Sequence, residues 1–175
     1  MNESDGYPFV FQMIDRDDSD ELLIETLQYR FKSTKSHHSY IVRVERYVEH
    51  AYCLKFFDKA NMNSTQKFSL RTNTFEPRTI FYTLFHIMLD VLHRDEMASF
   101  FFVGAEDERD ELGFSTRRFR VYRKFVTSVV SERLFEHYAI NEDSLYILVN
   151  KKREGRGDAF AQRIVKMVKQ LYASH

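Results

Sequence analysis

Phe100 to Leu134 reads FFFVGAEDERDELGFSTRRFRVYRKFVTSVVSERL and carries three signals in succession. Ser99 followed by Phe100-Phe101-Phe102-Val103-Gly104 is a short β-rich run with no polar alternation. Such a run predicts a strand covered on both faces and lying inside its sheet; it is too short for a buried helix. Glu106 to Glu111 is wholly charged and predicts a solvated turn. Gly113 then breaks the chain, and Ser115 or Thr116 offers an N-cap. From about Thr116 to Leu134 the pattern predicts a helix. At about 100° per residue, Phe119, Tyr122, Val126, Val129 and Val130 share one face. Arg117, Arg120 and Lys124 stand nearly opposite, continued by Ser128 and Ser131, while Arg118 and Arg123 flank the apolar side.

A cationic first turn opposes the helix dipole, which favours acids at that end. Two partners would offset the mismatch. One is the acidic turn folding back over the helix. The other is a bound anion, such as a phosphate backbone.

The rest of the chain supplies the frame. Its 175 residues suggest a single domain spanning 1–175. A hydrophobic share of 43% with 17 Phe and 10 Tyr provides a core and argues against disorder. With 5 Gly and 2 Pro, glycine-rich phosphate loops have little material. Net charge is zero but unevenly placed. Ser115 to His175 holds 13 Lys+Arg against 6 Asp+Glu, so 13 of the 26 basic and 20 of the 26 acidic residues precede it. That asymmetry permits a nucleic-acid or acidic-partner surface, and equally permits neutralisation within one fold. A single cysteine, Cys53, excludes an intrachain disulfide and fits a reducing compartment. The first residues are polar and acidic, unlike a secretory signal, and the longest apolar stretch, near Ile80 to Leu92, is interrupted by His86 and Asp90. These features predict a soluble cytoplasmic protein.

Before the central stretch, Tyr7 to Ile14 and Leu23 to Phe31 read as a hairpin, joined by the charged turn Asp15 to Glu21. Ser33 to Ser39 is a polar loop. Tyr40 to Asp58 is too long for one strand and divides into two with a turn near Glu49-His50; Phe68 and Leu70 suggest a further short strand. Pro77 suits the first position of a helix over Thr79 to Arg94, whose wide apolar face includes Ile80, Leu84, Phe85, Ile87, Met88 and Val91. Phe85 and Phe101 are expected to be fully buried. After the cationic helix, Ser144 to Asn150 reads as another buried strand, followed by the basic loop Lys151 to Gly157. Asp158 can cap a last helix with the core stripe Phe160, Ile164, Val168 and Leu171. The expected fold is α+β: an N-terminal antiparallel β-meander, then helix–strand–helix–strand–helix, with three main helices packed on one face of the sheet.

The run Phe100 to Ala105, an acidic turn, and then Thr116-Arg117-Arg118-Phe119-Arg120-Val121-Tyr122-Arg123 resembles small uncharacterised bacterial α+β proteins. In these, a hydrophobic strand ending in a small residue leads into an Arg-rich, aromatic-containing helix start. The resemblance covers about residues 78–152; it supports the fold and implies no activity.

Candidate chemistry is sparse. Thr79, Thr83, His86, Asp90 and His93 form a narrow polar stripe on the first helix, and the spacing of His86, Asp90 and His93 is what a metal or acid–base site needs. The stripe lacks the flanking Glu of a zinc-hydrolase helix, and the wet edge of a buried helix would look the same. Gly155-Arg156-Gly157 matches neither a P-loop nor a dinucleotide fingerprint. No Gly-x-Ser-x-Gly occurs, and Cys53 has no evident His partner. Tyr122 and Phe125, either side of Arg118, offer rings on which bases could stack, or simply core.

The expected function is a non-enzymatic binding or regulatory module. Its cationic helix would take nucleic acid or an acidic protein through Arg117, Arg118, Arg120, Arg123 and Lys124, with Arg163, Lys166 and Lys169 on the last helix continuing the track if the two helices lie together. No catalytic residues and no cofactor are expected. The alternatives are a metal-dependent enzyme using His86, Asp90 and His93, or a homodimeric structural protein.

Overall fold

The structure, a computed structural model, describes residues 5–16, 21–62, 77–104 and 117–173. The acidic turn at 106–111, the cap expected at Ser115 or Thr116 and the short strand expected at Phe68 and Leu70 lie outside the described residues, as do the side chains of Arg117 and Arg118. The chain divides into two compact units, Met1–Glu96 and Met97–His175.

The first unit is the expected antiparallel meander. It comprises β1 (Phe9–Asp15), β2 (Leu23–Lys32), β3 (Ser39–Tyr47) and β4 (Ala51–Asp58), followed by α1 (Pro77–Arg94). Side chains alternate along each strand, so register decides which residues share a face. Leu27, Tyr29 and Phe31 of β2 lie opposite Val44, Val42 and Tyr40 of β3, and all six are buried. On the other face Gln28, Arg43 and Lys55 form a cross-strand row, with ion pairs from Arg43 to Asp15 at 3.0 Å and from Lys55 to Glu45 at 2.8 Å. The tight connection between β3 and β4 falls where expected. Glu49 and His50 adopt left-handed backbone there, at φ 61° and 58°, although neither is glycine.

α1 closes the apolar face. Pro77 starts it, as its missing N–H and fixed φ allow. Ile80, Ile87, Met88 and Val91 are buried. Phe85 is only half-buried, against the expectation of full burial, because α1 is apolar around more of its circumference than this packing covers. Along the helix's polar stripe His93 is exposed and Thr79, His86 and Asp90 are half-buried, while Thr83 is fully buried. Its hydroxyl donates to the Thr79 carbonyl at 2.8 Å and accepts the Tyr7 N–H at 2.8 Å.

The second unit comprises β5 (Ser99–Val103), α2 (Arg117–Val129), β6 (Phe135–Ile140), β7 (Leu145–Asn150) and α3 (Gly157–Ala173). The strands run in the order β5-β7-β6 with antiparallel pairing. β6 was not expected; it forms a hairpin with β7 around Asn141–Asp143, closed by left-handed Ser144. Every residue of β7 is buried, so both faces of that strand must be covered. Register shows how. His137, Leu148 and Phe100 share one face; Glu136, Tyr138, Val149 and Ile147 share the other. The end of α2 lies against His137, whose ring feels the Val130 carbonyl. The start of α3 lies against Glu136 and Tyr138, both within 3.0 Å of where a Cβ on Gly157 would stand.

α2 and α3 therefore flank opposite faces of the three strands. Helices pack against the sheet, as the α+β reading expects, and α2 and α3 together cover both faces of β7. A strand without alternation demands it. Phe101 is 2% exposed and meets its expectation. At the end of β7 the buried Asn150 ties the strands together: its side-chain amide donates to the Ala98 carbonyl at 2.9 Å and its N–H donates to the Ser99 hydroxyl at 3.0 Å.

Candidate functional site

α2 is built as the wheel predicts. Phe119, Val126 and Val130 are buried against the sheet, and Tyr122, Phe125 and Val129 are half-buried at the margins. Arg120, Arg123, Lys124 and Ser128 are exposed. The helix contains five Arg or Lys and no acid. Arg123 donates to the Asn141 side-chain carbonyl at 3.2 Å, which holds its guanidinium toward the β6–β7 turn. Residues 123, 124, 127 and 128 are linked by short side-chain bonds: the Thr127 hydroxyl donates to the Arg123 carbonyl at 2.8 Å, and that of Ser128 to Phe125 at 2.6 Å. The result is an exposed cationic face on an anchored helix.

On α3, Phe160, Ile164 and Val168 are buried while Arg163, Lys166 and Lys169 are exposed. Arg163 lies 5.7 Å from the centre of the Phe160 ring, and Arg153 of the basic loop 3.7 Å from the same ring. Lys169 stands 3.8 Å from Asp143. Because α2 and α3 cover opposite faces, the two sets of cations form separate surfaces rather than one track. Asp158 falls in the first turn of α3 rather than at its cap, where its charge suits the dipole. Arg156 donates to both of its oxygens, at 3.1 and 2.6 Å, and holds its carboxyl below the usual range.

The residues proposed as ion ligands on α1 do not converge. Asp90 accepts the Tyr29 hydroxyl at 2.6 Å and the Arg94 guanidinium at 3.1 Å, and burial with that carboxylate pushes the Tyr29 phenol well up. Arg94 also lies 4.1 Å over the Phe11 ring. His86 packs beside Gly6, and His93 is exposed. Among the described residues no group of three or more His, Cys, Asp or Glu side chains is placed to hold a metal ion. Cys53 is buried in β4, and burial pushes its thiol up to about 12, so it presents no thiolate at neutral pH.

Three polar clusters escaped the sequence reading. Asp95 accepts the Tyr52 hydroxyl at 2.9 Å and contacts His50 Nδ1 at 2.7 Å. Asp58 contacts His38 Nδ1 at 2.5 Å. His137 Nδ1 meets the Tyr146 hydroxyl at 2.6 Å under α2. The first two pair residues 45 and 20 apart; no spacing rule links such positions. The third could have been suspected from a histidine and tyrosines in two neighbouring β-rich runs, had β6 been recognised.

No protein-family model, no curated protein and no solved structure matches the chain. No helix among the described residues is long and apolar enough to cross a membrane.

Proposed function

We propose that the chain is a non-enzymatic binding module whose working surface is the cationic face of α2, and that its partner is a polyanion, nucleic acid or an acidic protein surface. One observation carries the reading: Arg120, Arg123 and Lys124 stand exposed together on a helix anchored through Phe119, Val126 and Val130. Cations in the first turn work against the dipole, and an external anion relieves that arrangement. Tyr122 and Phe125 at the margin would give single-stranded bases a place to stack. Cytoplasmic placement belongs to the same proposal, supported by the single, buried cysteine.

The test is the salt dependence of binding to single- and double-stranded DNA and RNA. Counterion release predicts a log–log slope of about 0.7 to 0.9 per phosphate contacted. The protein with Arg120→Ala, Arg123→Ala and Lys124→Ala together should lose roughly two to three units of that slope. A wild-type chain that binds neither nucleic acid at low salt removes that half of the proposal and leaves the acidic protein.

A further inference from the structure

His137 sits in β6 on the face covered by α2, with Tyr146 of β7 beside it. Tyr146 is 1% exposed, and its ring meets the imidazole edge-to-face at 5.8 Å. Its hydroxyl is bonded to Nδ1 at 2.6 Å. On the other side of the ring, Nε2 is buried with no hydrogen-bond partner among the described residues. The Val130 carbonyl, one residue beyond α2, faces the ring. With neutral imidazole, the phenol proton has an acceptor in Nδ1, and the one ring N–H has the Val130 carbonyl that faces the ring. Adding a proton makes both ring nitrogens donors. The site then holds three donors, both ring N–H groups and the phenol, against two acceptors, the Tyr146 oxygen and the Val130 carbonyl, so one donor goes unserved. A buried donor without an acceptor is costly.

We propose that His137 is an acid-operated latch: neutral, it holds β6, Tyr146 and the end of α2 together, and on protonation it releases the turn that leads from α2 into β6. That turn is exposed, and the backbone bonds that close it are long. Leu134 N–H and Phe135 N–H both reach the Ser131 carbonyl at 3.3 Å, and Ser131, Glu132, Arg133 and Leu134 are all exposed.

The charges around the ring do not overturn this. Burial is the largest influence and lowers the affinity of His137 for a proton, and Lys151 adds to it. Glu132 and the Val130 carbonyl act the other way. Arg123 of α2 faces the Tyr146 hydroxyl. The sign follows. The folded chain binds the His137 proton at lower pH than the unfolded chain, which takes it up near about 6.5. Stability is therefore full above that value and falls as pH drops through it.

The chain has seven histidines, so a whole-protein melt does not isolate this one. The experiment is accordingly site-resolved: an NMR titration of the His137 ring from pH 8 to 4.5, with the amides of residues 128–140 followed alongside. The expected result is a His137 midpoint below about 6.5, with the amides of the α2–β6 turn shifting at that same midpoint. His137→Asn keeps an acceptor where Nδ1 stood and cannot titrate, so in that variant the turn should no longer respond at that midpoint. A His137 midpoint at or above the ordinary value overturns the latch. So does a turn whose amides ignore it, or an unchanged acid response in His137→Asn. If the variant does not fold, the comparison of the two wild-type midpoints alone decides.

Discussion

Single positions show where packing is tight and where it is not. A Cβ added to Gly6 would lie 3.0 Å from the Thr83 nitrogen and 3.2 Å from its Cα, with His86 Nδ1 at 2.9 Å. A histidine ring can turn away, but helix backbone cannot. Gly6→Ala should therefore cost about 1–3 kcal/mol, as overpacking does, and chemical denaturation measures it; an unchanged midpoint would mean that Gly6 does not approach α1 this closely. The two phenylalanines once expected to behave alike now separate. Phe101 is buried on β5, and Phe101→Ala should cost about 3–5 kcal/mol through lost transfer energy and the cavity left behind. Phe85 keeps part of its ring in water, so Phe85→Ala should cost clearly less in the same titration. Equal losses at the two sites would contradict the burial described for α1. Wheel geometry places both residues on apolar faces, but it cannot say how far a neighbouring element extends over each one.

At the scale of elements, the legible parts were those with a strong local pattern. The meander strands, the Pro77 start and the core stripes of α2 and α3 all stand where alternation and helical periodicity placed them. Even the β3–β4 turn was legible without glycine, because Tyr40 to Asp58 had to fold back somewhere polar. Two things were not. Phe135–Ile140 has Glu136 and His137 after one apolar residue, and it follows a helix closely enough to read as its tail. Partnerships such as Tyr29 with Asp90, 61 residues apart, leave no trace in periodicity. The junction of β6 and α3 offers a test of this geometry. Tyr138 donates to Glu136 at 2.6 Å, a bond that with burial pushes its phenol up to about 12. Glu136→Gln removes the charge and should bring the Tyr138 titration, read by ultraviolet absorbance difference or ring NMR, back toward about 10. A titration that stays put would show that another group holds that hydroxyl.

Charge is the property that belongs to the whole chain. The 26 basic and 26 acidic residues cancel overall, yet the second unit carries the basic excess. Sequence alone left open whether α2 and α3 pool their cations, and opposite placement on the sheet answers it. A rigid rod of phosphate lying along α2 would not meet Arg163, Lys166 and Lys169 on the other face. The two surfaces should accordingly separate by mutation. Replacing Arg120, Arg123 and Lys124 with Ala should flatten the salt dependence of polyanion binding. Replacing Arg163, Lys166 and Lys169 should leave the slope nearly as it was. Both triple variants should unfold close to wild type, since exposed substitutions away from caps and cores usually change stability by no more than about 0.5 kcal/mol each. The α3 variant loses the contact between Lys169 and Asp143 at 3.8 Å, an exposed pair that contributes little, and the placement of Arg163 5.7 Å from the Phe160 ring. If the α2 variant instead loses stability and keeps the slope, its cations serve the fold, neutralising acids of their own chain. If both variants flatten the slope equally, the partner wraps the unit rather than lying along one helix, and the working surface is larger than α2.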